Sequence, residues 1–223
     1  AWVSGPEDMA PDEYNWGYAQ MATTKALFCA GDASGASSHK FSSGSHAEGR
    51  IAAKAAVKYI VENAGEPTVD AAQVEEWKSK ILAPLSTFED NQDKSTDPNT
   101  NPEYIRPKMF MFRLQKIMDE YAGGVSAQFK TSEKLLQKGM ELLDFLKEDS
   151  SKLAAEDLHE LMRCWENVHR MWQAEAHVRT ILARQETRWP GYYFRTDTPE
   201  MLEDWKVFMN CKYDVDADQW EMI

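Results

Sequence analysis

The chain has 223 residues, 43% of them hydrophobic and 28% charged, with 37 acidic residues against 25 Lys and Arg for a formal net charge of -12. That length and apolar content support one large or two small domains with a real core and argue against disorder. The acidic balance excludes a surface built to neutralise nucleic-acid phosphates; no apolar run approaches the roughly 18 residues of a membrane span, and the opening AWVSGPEDMAP lacks the regions of a signal peptide.

Before the first regular element, PEDMAPDEYNWGYAQMA is Pro-rich and reads as loop with short strand pieces. From Lys25 the run KALFCAG is short, apolar and ended by Gly-Asp, the pattern of a buried strand stopping at a turn. The segment CAGDASGASSHKFSSGSHAEGR follows, thick with Gly, Ser and Ala, and leads into the Ala-rich SHAEGRIAAKAAVKYIVENAG. There Ser45 with Glu48 three residues on predicts a capping box, Ala density favours helix, and Gly65 follows the end.

Beyond Glu66-Pro67 the sequence predicts helices with polar connections. Val69 to about Glu89 is amphipathic and interrupted by Pro84; NQDKSTDPNTNPE is a loop; Met109 to Tyr121 carries apolar residues at helical spacing and closes on Gly123-Gly124. Thr131 or Ser132 can cap the next helix, and the longest runs from about Ala155 to Thr187. From Trp189 onward the chain is aromatic and irregular. The fold class expected is a piece of an α/β domain over 1–65, a mostly α-helical domain over 66–188 and an extended aromatic tail over 189–223. The start on Ala1 with an apolar Trp-Val pair predicts a piece of a longer polypeptide.

Three cysteines, Cys29, Cys164 and Cys211, are widely spaced and form no CxxC pattern, so neither a disulfide framework nor a metal site is expected from them, and a reducing compartment fits. Two Glu-x-x-His pairs, Glu156 with His159 and Glu166 with His169, have the spacing of di-iron bundle ligands. On one helix, ten positions apart, they stand about 15 Å apart along the axis and cannot clasp one metal pair. They and His177 read as structural residues. Trp and Met at helical spacing read as core. The tail aromatics Trp189, Tyr192, Tyr193, Phe194, Trp205 and Phe208 either pad their own domain or dock on another subunit.

The Gly/Ser segment has two readings from its residues. One is a surface loop. The other is a site: at Ser43, Gly44 and Ser45 the amides of a helix start and its dipole favour an electron-rich oxygen, with Asp32 placed to accept hydroxyl hydrogen bonds. It is neither a Walker loop nor GxGxxG, so a phosphate cradle is the weaker version of that site.

LFCAGDASGASSHKFSSGSHAEGRIAA resembles the second FAD-contacting segment of the fumarate reductase and succinate dehydrogenase flavoprotein superfamily. RLQKIMDEYAGGV, DLHELMRCWENVHRMWQAEA and ARQETRWPGYYFRTD resemble its helical C-terminal domain and following tail. Within it, GDASGASSHKFSSGSHAEGR and TRWPGYY resemble the branch that interconverts adenosine 5'-phosphosulfate with AMP and sulfite. The resemblance implies a cytoplasmic FAD oxidoreductase of sulfur metabolism that passes electrons to a beta subunit holding two iron-sulfur clusters. It implies FAD contacts at Gly31, Asp32, Ser42, Ser43, Gly44 and Ser45, with Asp32 on the ribityl chain and Ser43 to Ser45 on the pyrimidine edge. Substrate contacts would come from His39, Lys40 and Phe41, Phe41 by stacking on adenine. Dicarboxylate members carry an Arg where this chain has Lys40, which removes a planar carboxylate fork and keeps a cation. The catalytic residues and the ADP-gripping GxGxxG segment are expected outside these 223 residues, so the chain alone should hold flavin poorly. Alternatives are a dicarboxylate flavoprotein and a non-enzymatic helical interaction module over 69–223.

Overall fold

The computed structural model describes residues 1–4, 17–35, 41–63, 65–95, 97, 103–188 and 193–223. The chain is mostly helical and divides into two compact units, Ala1–Val69 and Asp70–Ile223.

In the first unit, helix α1 spans Ser42–Glu62. Its Ala-rich middle packs Ala52 and Ala55 inward, while Ile51, Val57, Ile60 and Val61 are exposed. At its C-terminal end Tyr18 meets Tyr59 edge-on at 5.1 Å between ring centroids and donates a hydrogen bond to Glu62 at 2.8 Å. The expected buried strand at Lys25–Gly31 does not form. Ala26 sits at φ 69°, Leu27 is exposed, and the only ladder contact of the run among the described residues is the single bridge between Met21 and Phe28. A left-handed residue breaks the extended geometry a strand needs, so the segment makes a turn, with the Ala22 amide donating to the Leu27 carbonyl at 2.8 Å.

The second unit is built on three mutually packed helices: α3 (Pro107–Tyr121), α4 (Glu133–Asp149) and α5 (Leu158–Ala183). Phe110, Leu114 and Ile117 of α3 face Leu136, Leu143 and Leu146 of α4, and Leu161, Cys164, Met171 and Val178 of α5 complete the core. The spacing of these residues, three, four or seven apart, places them on one stripe per helix. At Gly139 a Cβ would stand 3.1 Å from Cβ of Tyr121, so the glycine lets α4 approach the end of α3. Ser132 caps α4 as the sequence allows, and Asp157 caps α5 by accepting the Glu160 amide at 2.8 Å, so α5 begins after Glu156.

Helix α2 (Ala71–Asn91) runs through Pro84 rather than stopping there. A proline inside a helix lacks the amide and crowds the preceding turn. That turn finds a partner elsewhere: the Trp165 indole donates to the Ile81 carbonyl at 2.9 Å, and the Pro84 carbonyl accepts the Ala155 amide at 2.9 Å.

The tail is less irregular than its sequence implies. Strand β2 (Phe194–Arg195) pairs in parallel with β1 (Lys130–Thr131), and β3 (Cys211–Asp214) pairs antiparallel with β4 (Gln219–Met222). Two ionic groups fasten it. Arg195, 1% exposed, spans Asp197 and the Ile181 carbonyl, the latter at 2.7 Å, and Asp197 accepts the Glu133 amide at the start of α4. Glu186, fully buried, accepts from Arg184, Arg188 and the Leu202 amide.

Candidate functional site

The sequence-derived residues fall at one end of α1. Gly31, Asp32 and Ala33 form a short 3-10 turn; Gly31 is buried with φ 65°, and Asp32 is exposed. The turn closes on itself, the Ser34 amide donating to the Gly31 carbonyl at 2.9 Å, and Ser34 Oγ stands 3.3 Å from Gln20 Oε1. Glycine is required at this position for two reasons. Its backbone is left-handed, and a Cβ would stand 3.3 Å from Ser45 Oγ.

The capping box expected from Ser45 and Glu48 is not what starts α1. The helix begins three residues earlier, at Ser42, with Phe41 at the N-cap, and a phenyl ring cannot accept an amide. Ser45 already lies inside the ladder, its amide donating to the Phe41 carbonyl at 2.9 Å. Glu48 instead accepts the Gly31 amide at 2.7 Å and is 5% exposed. Tertiary contact with the Gly31 turn outcompetes the local cap. The amides that precede the intrahelical ladder are therefore those of Ser42, Ser43 and Gly44, where the positive end of the helix dipole also lies.

The structure thus brings Gly31 against Ser45 and sets Asp32 on the turn that docks there. Phe41, 81% exposed, is at the helix start. His39 and Lys40 lie outside the described residues. Glu48 is the member whose role the sequence misassigned; a Glu three residues after a Ser is the local capping signal, and only the fold reveals its distant partner.

A helix start of small residues, Ser42 to Ser45, can take an electron-rich oxygen such as a flavin carbonyl, and the N-cap residue Phe41 makes no side-chain cap hydrogen bond.

The histidine pairs serve other contacts. Glu156 pairs with Arg106 at 2.9 Å and Glu166 with Arg163 at 2.7 Å; the Arg163 hydrogen bond leads the effects that lower the Glu166 carboxyl. His169 lies between Trp165 and Trp172, and burial lowers the His177 imidazole below its ordinary value. Among the described residues no three His, Cys, Asp or Glu side chains are grouped to hold a metal ion. None of their helices is long and apolar enough to cross a membrane.

No family model matches the chain. Its fold is shared with E. coli quinol fumarate reductase FrdA: 92% of the chain superposes on 34% of a variant of that protein with a TM-score of 0.67 at 22% identity. A closer likeness is to adenylylsulfate reductases. Over 221 residues, 96% of its length, the chain is 45% identical to adenylylsulfate reductase subunit alpha of Megalodesulfovibrio gigas, spanning 33% of that subunit. Adenylylsulfate reductase from the hyperthermophilic Archaeoglobus fulgidus matches at 57% identity and a TM-score of 0.91 over 99% of this chain and 35% of that one. The same values hold for an adenosine-5-phosphosulfate reductase in complex with sulfite as a covalent adduct. The chain is homologous to a C-terminal part of these alpha subunits and spans about a third of the length of the relatives it matches.

Proposed function

We propose that the chain is the C-terminal portion of the alpha subunit of an FAD-dependent adenylylsulfate reductase, interconverting adenosine 5'-phosphosulfate with AMP and sulfite. The observation that carries this reading is the superposition of 99% of the chain, at 57% identity, on an enzyme of that name. In this assignment residues 1–65 are a piece of the FAD-binding domain, 66–188 the helical domain and 189–223 the tail.

FAD, when bound, supplies the two-electron chemistry of the redox step. The residues of this chain supply position and polarity. Asp32 would accept hydrogen bonds from the ribityl hydroxyls, and the amides of Ser42, Ser43 and Gly44 would hold the ring's pyrimidine edge, the helix dipole there favouring negative charge. Ser45 supports them from within the ladder and sets the fit against Gly31. Phe41 offers a ring face to adenine, and His39 and Lys40 a basic lining for sulfate or phosphate oxygens. Lys40, in place of the dicarboxylate members' Arg, argues against a succinate or fumarate substrate.

The proposed partner is the iron-sulfur beta subunit, and the tail is its proposed docking surface. Phe208 is 92% exposed beside a cavity of about 600 Å³ whose lining includes Trp205, Val207, Arg184 and Arg188. Truncation after Thr187 is a poor test of docking, because it removes Arg195 and Asp197, which fasten α4 and α5. Phe208→Ala spares that network and should weaken pairing of the two subunits.

The experiment is an assay of the intact alpha and beta pair with AMP plus sulfite and, separately, with succinate, using an artificial electron acceptor. AMP-dependent sulfite oxidation is expected. Succinate oxidation without it would replace this reading by the dicarboxylate one.

A further inference from the structure

The Gly31 turn meets α1 at two points, Glu48 and Ser45, and is closed by a third contact of its own. The Gly31 amide donates to Glu48 at 2.7 Å, a Gly31 Cβ would press on Ser45 Oγ at 3.3 Å, and the turn is closed by the Ser34 amide on the Gly31 carbonyl at 2.9 Å. Ser45 and Glu48 are three residues apart on the helix and therefore occupy one face. At 1.5 Å rise per residue, Glu48 lies about 6 Å along the axis from Gly44. The clasp is thus one turn in from the helix start and well inside the protein, Glu48 being 5% exposed.

A buried carboxylate is costly unless its hydrogen bonds are satisfied, so Glu48 at this depth signals a demand that Ala or Leu could not meet. That demand is the amide of a left-handed glycine whose neighbour, Asp32, faces outward. We infer that Glu48 is a positioning residue for the flavin: by holding Gly31 on α1 it fixes Asp32 relative to the first-turn amides of Ser42, Ser43 and Gly44. The inference rests on the proposed FAD site and assigns that site its spacer. Glu48 touches no part of the flavin itself. It acts on two separated contacts at once, one for the sugar-like chain and one for the ring.

The test uses the intact alpha subunit with its partner, prepared as wild type, Glu48→Gln, Glu48→Asp, Glu48→Ala and the surface control Glu62→Gln. FAD dissociation constants, the visible flavin absorption band and the thermal midpoint of each apoprotein are measured. Glu48→Gln keeps an oxygen acceptor at the same reach and should bind FAD within about threefold of wild type. Glu48→Asp, one methylene shorter, loses the Gly31 amide and should weaken FAD about tenfold or more with a shifted band, its apoprotein midpoint being lowered as well. Glu48→Ala should weaken it at least as much. If Glu48→Asp and Glu48→Ala bind FAD as wild type with unchanged spectra, the positioning role is overturned, whatever their thermal midpoints. Equal failure of Glu48→Gln and Glu48→Ala also overturns it, because the acceptor would then not matter. Failure of the wild type to bind FAD would instead overturn the flavin reading of the site.

Discussion

Individual ionisable side chains here are set by their partners more than by their depth. Burial alone pushes the Glu186 carboxyl up, yet the hydrogen bonds from Arg188, the Leu202 amide and Arg184 outweigh it and hold the group at about 2, against an ordinary 4.5. A depressed carboxylate contributes stability that is present above the unfolded value and lost as pH falls through the folded one. Glu186→Gln should therefore cost about 2 kcal/mol at neutral pH, and the gap to wild type should close between about pH 5 and pH 2, measured by urea unfolding at each pH. Cys164 shows the opposite balance. Burial raises its thiol to about 12, so thiolate is scarce at ordinary pH. Alkylation of the native chain at pH 8 should modify the half-buried Cys29 and Cys211 and spare Cys164 until denaturant is added, as peptide mapping would show. At this same scale the sequence was legible at Gly31-Asp32, where the expected turn forms, and misleading at Glu48. A side chain's local pairing signal says nothing about a distant amide competing for the same oxygen.

Among the elements, the helices of the second unit follow their sequence stripes closely. Leu136 in the first turn of α4 is fully buried, and Asp157 at the start of α5 makes one capping hydrogen bond. Leu136→Ala should cost about 2 to 5 kcal/mol through a cavity, and Asp157→Ala about 1 kcal/mol through the lost cap, both read from denaturant midpoints at unchanged slope. The elements that departed from expectation share a cause. The Lys25–Gly31 run is apolar enough for a strand, but Ala26 turns left-handed and among the described residues the run gains only the Met21–Phe28 bridge. Helix α2 continues through Pro84, and Trp165 and Ala155 donate to the carbonyls of Ile81 and Pro84. In each case a long-range partner, or its lack, overrode a sound local signal.

For the molecule as a whole, the division into two units predicts separable folding. Residues 65–70 lack regular structure and are exposed. Limited proteolysis should cut there first, and residues 70–223 alone should keep their helical circular dichroism and unfold in one cooperative step. The core of that unit, from Phe110 to Val178, is internal to it. Loss of helicity in the fragment would show that the first unit is needed. Taken alone, the amino-acid sequence determined the helical stripes of α3, α4 and α5, a cap for α4 at Thr131 or Ser132, the turn at Gly31-Asp32 ahead of α1 and the resemblance to flavoprotein subunits, because periodicity, capping and glycine chemistry act over a few residues. Only the tertiary structure decided that α1 starts at Ser42, that Glu48 reaches Gly31, and that Arg195 and Glu186 bind the tail to the ends of α4 and α5. Those outcomes depend on groups such as Glu133 and Asp197, 64 positions apart, and a hydrogen bond between distant residues leaves no period in the chain.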